Sequence, residues 1–125
     1  MLKSISTMVG LAAALAAASP ALAAFNTALS QAEVDKIMSG HCSRERDYAR
    51  DAVERMGEDW TAFARKANSV MLANMDIIDI KRLIRRAESQ GGGGNTNERE
   101  LASFQVCILD AKIAYAEAHE KRDAR

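Results

Sequence analysis

The chain carries a single proline, Pro20, and from Ala21 to Arg125 there is none. That run lacks the residue that ends helices most strongly, by removing a backbone donor and clashing with the preceding turn. Ala, Glu, Lys, Arg, Met and Leu, all good helix formers, dominate it. No segment alternates apolar and polar residues for long enough to mark a strand. The expected fold is therefore all-α, a small antiparallel bundle of three or four helices.

Pro20 belongs to a different object. Lys3 gives a positive start, Met8–Ala18 (MVGLAAALAAA) is apolar, and Ala21-Leu22-Ala23 has the small-x-small form of a cleavage box. The apolar stretch is shorter than the roughly 20 residues a membrane-spanning helix needs. Residues 1–23 are expected to be a cleaved signal peptide, with cleavage after Ala24 as the next choice. Residues 24–125 are then a single helical domain. Cys42 stands far beyond the cut, so no lipid-anchoring cysteine is expected, and no Asn-x-Ser/Thr acceptor occurs. The Ala-rich signal points to a bacterial periplasmic protein. No later apolar run reaches membrane length, so no membrane span is expected.

Charge narrows the function classes. Lys3 is the only charged residue of the leader, so its loss turns 17 basic against 17 acidic into 16 against 17. A nucleic-acid binder needs a net basic face, and this balance argues against one.

Cys42 and Cys107 are the only cysteines. In an oxidising compartment such a pair forms a disulfide. A loop of 65 residues closed in this way constrains the unfolded chain by about 4 kcal/mol at best. The bridge would staple the N-terminal half to the last helix.

Helix boundaries follow from caps and breakers. Ser30-Gln31-Ala32-Glu33 reads as a capping box, with Leu29 and Val34 placed as a hydrophobic staple. Gly40 interrupts the first pattern. A second helix, or a kinked continuation, runs from about Ser43 to Met56 and stops near Gly57, with Cys42, Ala49, Val53 and Met56 inward. Trp60, Phe63, Ala67, Val70, Ala73, Ile77, Ile80, Ile84 and Ala87 then recur every three or four residues, as one long helix bent near Asn68-Ser69 or Asn74. Gly91–Gly94 should end it, since glycine weakens a helix, and should form a flexible loop or hinge. Asn97 is the expected cap of the last helix. Leu101, Phe104, Ile108, Ala111, Tyr115 and Ala118 form its heptad-like seam. The charged tail from Glu120 to Arg125 is expected to fray.

Catalytic motifs are missing. There is no Gly-x-Ser-x-Gly elbow, no phosphate-cradling loop and no His-Glu-x-x-His, and the glycine run lacks a following Lys-Ser/Thr. His41 precedes Cys42, but neighbours on a helix point about 100° apart and rarely pair. The carboxylates Glu58, Asp59, Asp76, Asp79 and Asp110 suit caps and solvated faces better than a two-carboxylate cleft. No enzyme activity and no cofactor are expected. Met38 and His41 lie three apart and Met71 and Met75 four apart, and thioether and imidazole donors suit copper. A periplasmic metal-binding bundle using Met38, His41, Met71 and Met75 is the alternative reading, against methionines that simply fill the core. No His-x-x-His or Cys-x-x-Cys-His motif is present. Lys81, Arg82, Arg85 and Arg86 share a broad face that could hold an anionic partner, with Asp76, Asp79 and Glu88 near enough to neutralise part of it.

Cys107-Ile108-Leu109-Asp110 with Tyr115 resembles the last helix of the HdeA-type periplasmic acid chaperones. Leu109-Asp110 followed by Tyr115 is similar to a stretch of the LprI-type lysozyme inhibitors. Both resemblances imply a small exported binding protein, and the first implies one disulfide in a helical fold. The spacing between the cysteines is longer here than in the first family, and the Cys-rich remainder of the second is missing. The expected function is a non-enzymatic exported helical protein that binds another periplasmic or envelope protein, as an accessory, chaperone-like factor or inhibitor. No oligomeric state follows from the sequence.

Overall fold

The computed structural model describes Asn26 to Asp123, and side chains as far as Glu120. The expected signal peptide lies outside the described residues. Within them every regular element is helical. In chain order these are α1 (Gln31–Lys36), a π-turn (Ile37–His41), α2 (Ser43–Arg55), α3 (Trp60–Leu72), α4 (Ile77–Gly92) and α5 (Thr96–Asp123). Cys42 and Cys107 are joined, with Cα atoms 6.0 Å apart.

Local chemistry explains most of the boundaries. Ser30 and Glu33 form the expected capping box. Gly40 does not break the helix. The chain instead widens into a π-turn, closed by the Cys42 N–H donating to the Ile37 carbonyl at 2.7 Å. Helix α2 ends where Gly57 takes φ +74°, a left-handed conformation that only glycine adopts without strain. The Glu58 N–H then reaches the Val53 carbonyl at 3.0 Å and the Gly57 N–H the Glu54 carbonyl at 3.0 Å, which completes a Schellman cap.

Several expectations need correction. Met56 is the cap of α2 and is exposed, while Ala52 joins Ala49 and Val53 inside. The long 60–90 helix is two helices, broken at residues 73–76. Asp76 accepts from the Ile78 N–H (2.7 Å) and starts α4 afresh. Ala73 is therefore in a loop and exposed. Helix α4 runs through Gly91 and Gly92, so two of the four glycines are helical. Gly91 is buried because α5 passes close by, and a Cβ there would lie 2.6 Å from that of Ala102. The cap of α5 is Asn95, not Asn97. Its side chain accepts from the Glu98 N–H (2.9 Å) while Glu98 accepts from the Asn95 N–H (3.0 Å). Asn97 instead accepts from Arg55 Nε (2.9 Å), and Arg55 also pairs with Glu100.

Helix α5 is the axis of the molecule. At 28 residues it is about 42 Å long, and α2, α3, α4 and the π-turn all pack on it. Its buried residues therefore exceed one seam. Phe104, Ile108 and Ala111 are buried as expected, and so are Ala102, Leu109, Lys112 and Ala116, while Ala118 is exposed. The core gathers Leu29, Val34, Ile37, Met71, Ile80 and Phe104 around this axis, and the Trp60 and Phe63 rings pack against Phe104.

One buried charge ties the fold together. Lys112 has no exposed surface, and its ammonium donates to the carbonyls of Thr27 (2.8 Å), Met71 (2.8 Å) and Ala73 (2.7 Å). All three of its donors are used. Met71 and Ala73 lie at the end of α3, where carbonyls lack helical partners and the helix dipole favours a cation. Thr27 completes the knot. Its N–H donates to Asn74 Oδ1 (3.0 Å), and its hydroxyl donates to the Met75 carbonyl (2.7 Å) and accepts from the Met75 N–H (2.6 Å). The irregular segment before α1 is thereby held against the α3–α4 loop. Burial lowers the Lys112 pKa from 10.5 to about 8.

Candidate functional site

Helices α3 and α4 are joined by a short loop, yet no pair of their Cα atoms comes within 8 Å. Both rest on α5. The space between them is a groove of about 330 Å³. Its floor is Gln105, Ile108 and Leu109 of α5. Each wall uses one helical face at the same spacing. Phe63, Lys66, Ala67 and Val70 line it from α3, and Leu83, Arg86, Ala87 and Gln90 line it from α4. Positions i, i+3, i+4 and i+7 share a face, so each wall repeats apolar, basic, alanine along one stripe.

The two alanines matter for shape. They stand at the middle of facing walls, and a larger residue at either would narrow the groove. Lys66 and Arg86 are exposed and place a cation on each side of it. Among the described residues neither makes a salt bridge, whereas Arg82 is paired with Asp79 at 2.8 Å. Lys81 and Arg85 are exposed on the same helix. The basic cluster read from the sequence is thus present on α4, with Arg86 turned to the groove and Arg82 engaged by its own helix. Asp76, expected nearby as a neutralising charge, is the α4 cap.

The residues of the alternative metal reading differ in burial. Met71 has no exposed surface, Met38 and Met75 are part-buried against the core, and His41 is exposed. His41 sits elsewhere, beside the disulfide, on a second and wider groove of about 660 Å³. Glu45, Glu88, Arg99 and Asp110 line that groove together with Gly91, Ala102 and Val106.

A third polar site joins the two ends of the described chain. Glu33 accepts from the Ser30 N–H (2.9 Å) through one oxygen and meets His119 Nε2 (2.7 Å) through the other. Burial raises the Glu33 pKa, but the Ser30 hydrogen bonds and the His119 imidazole outweigh it, and the net shift is downward.

The groove, the Lys112 knot and the Glu33–His119 pair were all missed by sequence reasoning. A faint signal existed for Lys112, which interrupts the stripe of Ile108 and Ala116 four residues to either side. Comparison with family models, curated proteins and solved structures finds no match for the chain.

Proposed function

We propose that this protein is an exported, non-enzymatic binding module, and that the α3–α4 groove receives an acidic amphipathic helix of another envelope protein. The observation that carries the reading is the groove itself, an apolar trough with a cation on each wall. A partner helix would lay two apolar side chains, spaced i and i+4, between Ala67 and Ala87, as in other helix-in-groove complexes. Acidic residues flanking those anchors would meet Lys66 and Arg86, which raises the association rate and excludes basic partners. The exposed Lys81 and Arg85 would extend the attraction along α4. The helices act as one antiparallel bundle, stapled by the disulfide so that the groove keeps its shape.

Export is part of the same proposal. A disulfide suits an oxidising compartment, and no helix among the described residues is long and apolar enough to cross a membrane. The mature protein is expected to begin at Ala24 with both cysteines oxidised, which intact mass measurement of material from the cell envelope reads directly.

The test of binding uses Trp60, the only tryptophan, whose ring lies 5.5 Å from that of the groove residue Phe63. An amphipathic helical peptide with a leucine face and glutamate flanks should change Trp60 fluorescence saturably, and added salt should weaken it. Lys66→Glu with Arg86→Glu should lose that peptide by tenfold or more and gain its lysine-flanked counterpart. Equal binding of both peptides to both proteins would refute the groove as a selective site.

A further inference from the structure

Adjacent residues on an α-helix point apart, but His41 ends a π-turn and Cys42 has non-helical backbone angles. The His41 ring nitrogen and the two sulfurs of Cys42 and Cys107 all lie within 4.8 Å of one another. We propose that, once the disulfide is reduced, these three residues form a thiolate–thiolate–imidazole site for a thiophilic d¹⁰ cation such as Zn²⁺. The protein would then have two interchangeable staples at one place, a disulfide when oxidised and a metal when reduced.

The placement of the donors supports this. His41 closes the π-turn, Cys42 follows at the non-helical junction with α2, and Cys107 comes from α5. Around one ion, Zn–S bonds of about 2.3 Å and Zn–N bonds of about 2.0–2.1 Å set the donors roughly 3.5–4 Å apart. The present cluster is near that size, and the two Cα atoms at 6.0 Å allow the sulfurs to part by side-chain rotation. Two thiolates neutralise the ion, so the buried side of the site carries no net charge. Cys107 and His41 also line the wide groove, from which water can supply the fourth ligand.

The chemistry balances with a small thiol as reductant. Two R–SH molecules give two electrons and two protons to the disulfide and leave as R–S–S–R. The Cys42–Cys107 bond breaks and each sulfur gains one hydrogen. Zn²⁺ then displaces both thiol protons to solvent and takes the neutral imidazole as its third ligand.

The experiment compares the disulfide form with the protein reduced by a dithiol and freed of it under nitrogen. Zn²⁺ is titrated against a chromophoric chelator, Co²⁺ is added separately for its thiolate charge-transfer band, and helicity is followed throughout. The reduced protein should bind one equivalent, show the band, and hold or regain helicity. The disulfide form should be helical without metal, bind no Zn²⁺ and show no band. His41→Ala, whose oxidised form reports normal folding, should weaken Zn²⁺ binding by about tenfold or more. Any of three results overturns the proposal: no Zn²⁺ binding by reduced protein, equal binding by the disulfide form, or an unchanged affinity in His41→Ala.

Discussion

Lys112 shows how one residue sets the stability of a chain end. Replacing it with methionine keeps an unbranched side chain of nearly the same length but leaves the Thr27 and Ala73 carbonyls without their partner. The cost should be about 3 kcal/mol in a denaturant titration. Its pH signature has a definite sign. The folded pKa of about 8 lies below the ordinary 10.5, so between those values the unfolded chain binds more protons. This group therefore makes the protein more stable as pH rises from 8 to 10.5, and below pH 8 the cost of burying the charge is fully present. The Lys112→Met variant should lose that rise. Glu33 acts at the other end of the scale. Its folded pKa is depressed, so its contribution is present above 4.5 and is lost as pH falls through the folded value. Glu33→Gln should flatten that acid limb in the same titration. Neither residue was legible in the sequence as a pair, because Lys112 finds its carbonyls 85, 41 and 39 residues away and Glu33 meets His119 only through the tertiary fold.

At the scale of elements, what was legible was local. The Ser30 capping box, the stop at Gly57 and the interior positions Phe104, Ile108 and Ala111 each depend on residues within one or two turns. What failed depended on neighbours. Gly91 stays helical where α5 packs on α4 and buries it, which offsets the low helix propensity of glycine, and the exposed Gly92 only ends that helix. The cap goes to Asn95 through a local box with Glu98, while Asn97 is engaged by Arg55, brought in by α2. The glycines separate by their surroundings. Gly91→Val should cost about 1–3 kcal/mol, since its side chain would collide with Ala102. Gly92→Ala meets nothing within 4 Å and should gain about 0.4–1 kcal/mol by limiting the unfolded chain. Thermal unfolding of the two variants reads both signs.

For the whole molecule, the disulfide and the long axis of α5 decide which faces remain free. Cys42→Ser with Cys107→Ser should cost about 2–5 kcal/mol, visible as a lower denaturation midpoint. The pairing of the cysteines was readable from their number, but the groove was not. It arises because α3 and α4 rest apart on α5, and the distance between two helices is written in no single stretch of sequence. The groove is also the centre of the functional account. The most direct test is an amide chemical-shift map of the isotopically labelled mature protein with the glutamate-flanked peptide. The account predicts shifts concentrated on residues 63–70, 83–90 and 105–109, abolished by Ala67→Arg with the fold intact. Shifts centred elsewhere, or none at all, would contradict it.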